Sequence, residues 1–136
     1  MTAGMDDDAL LEGFERGTVP IGAWDHRAHV RVAWVLLGRE PFPVALGRMR
    51  DGLQRLQRVF GIPDGVLDRG YHETLTVGWL SLVAATRRSG GAGSDSNAFC
   101  DANPHLLART ALRLFYTRER IMTETAKRAF VTPDLT

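Results

Sequence analysis

Three histidines lie where two helices are predicted to begin, and their type and spacing suit metal binding or proton transfer. His26 and His29 are three residues apart in WDHRAHVRVAW, and His72 lies beside Tyr71 and Glu73 in GYHETLT. Side chains at positions i and i+3 of a helix are neighbours, so two imidazoles at this spacing can bind one metal ion or form an acid/base pair. These histidines are therefore candidate site residues.

A carboxylate completes the candidate ligand set. His26, His29, His72 and Glu73 would hold one ion of Fe, Zn, Cu or Mn, because imidazole and carboxylate groups bind first-row transition metals. Asp25 is the alternative carboxylate. Too few carboxylates face the predicted core for a di-iron site, so we expect a mononuclear one. The spacing is not HExxH, which argues against a zinc protease.

The same residues also permit two interpretations without a metal. In the first, His72 and Glu73, with Tyr71 beside them, are catalytic residues of an acid/base lyase, isomerase or cyclase. In the second, the chain is a non-catalytic module that binds a ligand or a partner, and its histidines are structural or pH-sensitive. A single histidine at a helix start is more often a cap or a core residue than a ligand.

The predicted second helix places two histidines on its apolar side. At about 100° per residue, His26 and His29 face the core, whereas Arg27 and Arg31 form a different side. The positive end of the helix dipole is expected to lower the pKa of both histidines. If the second and fourth helices are parallel neighbours, the two histidines would meet His72 at one end of the bundle.

Apolar periodicity and helix-ending residues predict an all-α fold. Helices are predicted over about 6–16, 25–37, 43–60, 71–87, 103–116 and 119–130. The fourth is apolar on most sides, so we expect it at the centre. A glycine- and serine-rich stretch over 89–97 predicts a flexible loop. The chain is thus predicted to be one domain over 1–136, a bundle of five to six helices.

Composition and charge limit the classes of function. The 136 residues, 44% of them hydrophobic, suffice for one domain with a core. A net charge of +1, from 17 basic and 16 acidic residues, provides no field for nucleic acid. A single cysteine, Cys100, excludes an internal disulfide and a cysteine-rich zinc site. No apolar run reaches the roughly 20 residues of a membrane span, and the acidic start is unlike a signal peptide. We therefore expect a cytoplasmic protein without a membrane partner.

Three stretches resemble the motifs of a family of small bacterial proteins of uncharacterised function. They are HRAHVRVAW, GYHETLTVGW and LFYTRERIMTETAKRAFVTPDL, which are similar to HxxHxRxAW, YHETxTxxW and a C-terminal FxxPDL pattern. The resemblance covers most of the chain. It implies that His26, His29 and the YHETLT residues belong to shared motifs, but it implies no activity. For the C-terminal motif it implies a structural lock that involves Thr123 and the stretch Pro133, Asp134 and Leu135.

The leading hypothesis from the sequence is a small helical enzyme that acts on a small molecule at a His/Glu site inside the bundle, with one transition-metal ion as cofactor. The metal-free enzyme and the binding module are the alternatives. A homodimer is a further expectation, because a second copy could cover the apolar fourth helix.

Overall fold

Helices joined by turns make up most of the described chain. The computed structural model describes residues 4–67, 69–90 and 93–135. In these ranges the longer helices are α1 (Asp7–Arg16), α2 (His26–Arg39), α3 (Phe42–Val59), α4 (Glu73–Arg88) and α5 (Ser96–Ala102). Two short ones, α6 (Arg118–Ile121) and α7 (Glu124–Arg128), follow, and 3₁₀ turns cover Ile21–Ala23, Pro104–Leu107 and Ala111–Leu114. No strand occurs in the described ranges, so the all-α prediction is confirmed, with seven helices rather than five to six.

Aspartates fix the start of three helices. Asp6, Asp25 and Asp95 are the N-caps of α1, α2 and α5, and each carboxylate accepts a hydrogen bond from the backbone N–H three residues on. Gly17 ends α1 with φ 73°, a left-handed conformation that glycine adopts without steric penalty. The observed caps agree with the predicted starts of the first two helices near 6 and 25 and with the predicted end of the first near 16.

The centre of the bundle is α2, not α4 as predicted. The α2 helix contacts α1, α3, α4 and α5, and Ala28, Val32 and Leu36 on it are fully buried. The α4 helix contacts α2, α3 and α7. The α4 helix has a broad apolar surface because the C-terminal segment, which is the part of the chain after α5, packs against it in addition to α2 and α3.

Arg31 on α2 is buried, contrary to its predicted place on a side away from the core. Its side chain is 1% exposed. Its Nε donates to Ser96 Oγ at 2.7 Å, and its Nη2 donates to the Met5 carbonyl at 2.7 Å. The Asp7 carboxylate lies 3.5 Å from Nη2 and accepts a 2.5 Å hydrogen bond from Ser96 Oγ. The angular position of Arg31 on its own helix does not predict this burial. The burial arises because α1 and α5 cover this face of α2.

The segment after α5 is not the single helix predicted over 103–116. Two 3₁₀ turns, Pro104–Leu107 and Ala111–Leu114, replace it. Leu106 and Leu112 are both buried, although one continuous helix would place them roughly 120° apart. Interrupting the helix lets both reach the core. Phe115, directly after the second turn, is 40% exposed.

The last predicted helix, over 119–130, is divided into α6 and α7. Thr117 and Thr123 are their N-caps, and each hydroxyl accepts a hydrogen bond from the backbone N–H three residues on. The cap at Thr123 has an extended backbone, which a continuous helix could not contain. Of the predicted flexible loop over 89–97, residues 91 and 92 lie outside the described residues, and α5 begins within it at Ser96.

Cys100 is the single cysteine of the chain. Cys100 is a buried free thiol, and burial raises its pKa to about 11. The thiol is therefore protonated near neutral pH and a poor nucleophile.

None of the helices in the described residues combines the length and the apolar character that crossing a bilayer requires.

Gly52 on α3 permits close packing against α1, and this leads to a test. A methyl group on Gly52 would lie 2.2 Å from the buried ring of Phe14. Gly52→Ala should lower the free energy of unfolding by about 1–3 kcal/mol, because the ring or a helix must shift. Gly47→Ala on the same helix is the control, since nothing lies within 4 Å of its added methyl. It should stabilise the fold by about 0.5–1 kcal/mol. Urea denaturation measures both, and equal effects would contradict the packing explanation.

Candidate functional site

A cavity of about 400 Å³ lies among α2, α3 and α4. Four of its lining residues are Trp, Tyr or Phe, four are Leu or Ile, and the others are mainly polar. We name it the aromatic cavity, and its lining residues are Trp24, His29, Leu53, Leu56, Gln57, Phe60, Ile62, Gly70, Tyr71, His72, Leu75, Thr76, Trp79 and Arg109. A concave, mostly apolar site with a few polar groups suits a small organic molecule.

Local sequence positions the elements around the aromatic cavity. The Asp25 cap starts α2 directly after Trp24, so His29 lies one turn into the helix. Trp24 is held by stacking on Phe14, with ring centroids 5.2 Å apart. On the opposite wall, the apolar stripe of α3 that its periodicity predicts contributes two leucines and, just after the helix, Phe60.

The His29 side chain lines the aromatic cavity, and its ring forms no hydrogen bond with the described chain. The ring packs against Trp24, with centroids 6.1 Å apart, and edge-on to His26 at 6.2 Å. Within the described part of the chain its ring nitrogens have no hydrogen-bond partner. Burial, and then the neighbouring His26, lower the pKa of His29 to about 4. The imidazole is therefore neutral near pH 7 and offers a ligand one donor and one acceptor.

His26 does not line the aromatic cavity but supports its wall. Its Nε2 donates to the Leu106 carbonyl at 2.9 Å. Its ring meets the indole of Trp79 edge-on, with centroids 4.4 Å apart. Burial is the main cause that lowers the pKa of His26. This histidine thus joins α2, α4 and the Pro104–Leu107 turn.

His72 is the N-cap of α4, which therefore begins at Glu73 and not at 71. Its Nδ1 accepts a 3.1 Å hydrogen bond from the Leu75 N–H, and its Nε2 donates to the Ile121 carbonyl at 3.0 Å. Burial is the main cause that lowers the pKa of His72. Although His72 borders the cavity, both ring nitrogens are already used by the protein.

Glu73 faces a second groove of about 910 Å³, which shares Gln57 and Tyr71 with the aromatic cavity. Arg50 donates two hydrogen bonds to its carboxylate, at 2.9 and 2.7 Å, and the Tyr71 hydroxyl donates one at 2.5 Å. Hydrogen bonding from Arg50 lowers the pKa of Glu73. Burial, and then the bond to Glu73, raise the pKa of Tyr71 to about 12. At neutral pH this cluster is a closed, charge-paired unit.

The predicted site residues are thus divided between different surroundings. His29, Tyr71 and His72 line the aromatic cavity, whereas His26 and Glu73 do not. Among the described residues, no three His, Cys, Asp or Glu side chains form a group that could hold a metal ion. The metal site therefore remains a prediction, and binding there would require His72 and Glu73 to leave their present partners. Burial, not the helix dipole, is the largest cause of the lowered histidine pKa values.

The threonine in YHETLT ties α4 to the C-terminal segment. Thr74 Oγ1 donates to the Ala126 carbonyl at 2.7 Å and accepts from the Val131 N–H at 3.1 Å. Further along, the Asp134 carboxylate accepts from the backbone N–H and the hydroxyl of Thr117, at 2.8 and 2.6 Å. Asp134 thus holds the end of the described chain against Thr117, at the N-cap of α6.

Several lining residues were not predicted as site residues. Trp24 and Trp79 were assigned to the core, although Trp24 lies next to the predicted cap and close to His29 in the sequence. Gln57 is a polar residue beside the α3 stripe. Arg109 lies between two 3₁₀ turns, where a continuous helix was predicted, so no sequence pattern could place it.

No protein-family model matches the chain, and comparison with curated proteins and with solved structures finds no significant match. The family resemblance of the motifs therefore stays a prediction. Because a helical bundle can host many functions, function must be argued from the site itself.

The cap at α4 gives a stability test. His72→Ala should lower the free energy of unfolding by about 1–2 kcal/mol, because the Leu75 N–H loses its side-chain acceptor. His72→Asn should recover part of the loss, since asparagine is among the best N-caps. Urea denaturation of the three proteins measures the difference. If alanine and asparagine are equally destabilising, the cap is not the main contribution of this side chain.

His29 should make stability depend on pH. Its pKa is about 4 in the folded chain and about 6.5 when unfolded. Between these values the unfolded chain binds a proton that the folded chain does not, so stability should fall as the pH decreases from 6.5 to 4. The contribution is up to about 3 kcal/mol.

His29→Leu should flatten part of this dependence, whereas His105→Leu, at an exposed position, should leave it unchanged. Urea denaturation at pH 7, 5.5 and 4.5 provides the comparison. An identical pH dependence in the wild type and in His29→Leu would contradict the assignment.

Proposed function

We propose that this protein binds a small, largely apolar molecule in the aromatic cavity and that the His29 imidazole forms a hydrogen bond with it. One observation carries the proposal: a neutral imidazole without a protein partner lines a cavity that is otherwise mainly aromatic and aliphatic. The buried side-chain atoms without a partner in the described chain do not include the ring nitrogens of His29, so these nitrogens are accessible from the cavity. A ligand atom in the cavity would supply the missing partner.

Binding fits the site better than acid/base catalysis does. An efficient general base has a pKa near the working pH, whereas the pKa of His29 is about 4. His72 could exchange a proton at Nδ1 only by giving up the cap of α4. Glu73 is a weak base, because its hydrogen bonds with Arg50 lower its pKa.

The larger groove is a less suitable ligand site than the aromatic cavity. Its charged groups are largely engaged with one another, as in the Arg50–Glu73 pair and the Arg128–Glu124 pair. A ligand there would have to compete with these contacts, and about half of the surface it would cover is polar. The aromatic cavity offers the reverse, an apolar wall and one unbonded polar ring.

Phenol and toluene, which differ in one hydroxyl group, test the proposal. NMR titration should show both shifting the indole signals of Trp24 and Trp79. Phenol should bind more tightly in the wild type, because its hydroxyl can donate to His29. In His29→Leu the affinity for phenol should fall about fivefold, and that for toluene should stay the same. His105→Leu is the matched control and should behave as the wild type.

Two results would contradict the proposal. One is the absence of any shift at the two cavity indoles with either probe at millimolar concentration. The other is close to one equivalent of a transition metal in protein purified without a tag, lost on His29→Leu. That second result would support the mononuclear metal site predicted from the sequence.

A further inference from the structure

The aromatic cavity has one charged side chain among its described lining residues, and that side chain is a cation. Arg109 lies between the Pro104–Leu107 and Ala111–Leu114 turns and is exposed at the cavity wall. No aspartate or glutamate of the described chain lines the cavity. The site is therefore electrostatically one-sided.

The guanidinium of Arg109 is available to a ligand. In the part of the chain that the structure describes, it forms no ion pair and no hydrogen bond. Several other arginines of the chain are paired with carboxylates, as Arg48 is with Glu15 and Arg27 is with Asp101. Arg109 is close enough to the site for its charge to add to burial in lowering the pKa of His26.

The adjoining surface has the same sign of charge. A smaller cavity of about 160 Å³ shares Leu75 and Arg109 with the aromatic cavity, and Arg113 and Arg118 also line it. No carboxylate is among its described lining residues. Positive potential from neighbouring arginines with no intervening anion favours an anionic ligand.

We propose that the ligand of the aromatic cavity is a small carboxylate with an apolar body, whose carboxylate pairs with Arg109 while the body packs between Trp24 and Trp79. This inference rests on the proposed binding function and adds the chemical class of the ligand. A carboxylate matches the planar fork of one guanidinium, which can donate two parallel hydrogen bonds to it. A phosphate would leave most of its charge unpaired in an apolar cavity with one arginine.

A cationic ligand does not fit the same surroundings. Two indoles can attract a quaternary ammonium group, but Arg109 would repel it and no carboxylate of the described lining would neutralise it. A neutral ligand would gain nothing from the charge of the exposed arginine. A carboxylate with an apolar body can pair with Arg109 and pack against the apolar wall.

Two matched probe pairs test the proposal by calorimetric titration: 1-naphthoate with 1-naphthamide, and hexanoate with hexanamide. At least one carboxylate should bind the wild type about tenfold more tightly than its amide. Arg109→Gln should remove this preference by weakening the carboxylate and leaving the amide unchanged. Arg88→Gln, at an exposed arginine in the last turn of α4, is the control and should keep the preference.

The outcomes separate this inference from the proposed function. If amides or phenol bind but no carboxylate binds better than its amide, the ligand class is wrong and the cavity still binds small molecules. If Arg109→Gln keeps the preference, the assignment to this arginine is wrong. If neither these probes nor phenol and toluene bind, both proposals are overturned.

Discussion

The burial of Arg31 is the interaction on which most of this fold depends. A guanidinium removed from water is costly unless it is paired and hydrogen-bonded. Its partners include the Met5 carbonyl before α1, Asp7 on α1 and Ser96 at the start of α5. These contacts offset the cost of burying the charge. The network therefore fixes the start of the described chain and the short α5 against the central helix α2.

At the N-terminal end of α2, the site is defined by the polar atoms whose hydrogen bonds the fold has not already used. His26 and His72 look like chemical residues in the sequence, yet each donates to a distant backbone carbonyl, Leu106 or Ile121. Glu73 is likewise bound to Arg50. Only His29 among these candidates meets the cavity with unengaged nitrogens in the described chain. One helix end thus carries a histidine bonded to the scaffold, His26, and a histidine whose ring nitrogens have no protein partner in the described chain, His29.

The same distinction applies to the C-terminal segment. Its short helices cannot be stable alone, because helices of this length cost more to nucleate than their few hydrogen bonds return. Thr74 and His72 anchor the C-terminal segment to α4. Within the segment, Asp134 binds Thr117. The GYHETLT stretch therefore builds one wall of the cavity and holds the segment that covers α4. A ligand in the cavity would contact residues whose positions this anchoring sets, which links binding to the stability of the whole C-terminal third.

The sequence by itself determined the helical class, the positions of α1 to α4 and the caps, because apolar periodicity, aspartate caps and glycine ends act over a few residues. It also drew attention to His29, Tyr71 and His72, which line one cavity. Tertiary structure alone decided that Arg31 is buried, that 103–116 is broken into turns, and that Arg109 reaches the cavity. These outcomes depend on which distant group covers a face or completes a hydrogen bond. The periodicity of a single segment contains no information about such partners. Only the folded chain therefore shows which histidines have their ring nitrogens bonded to the protein and which does not.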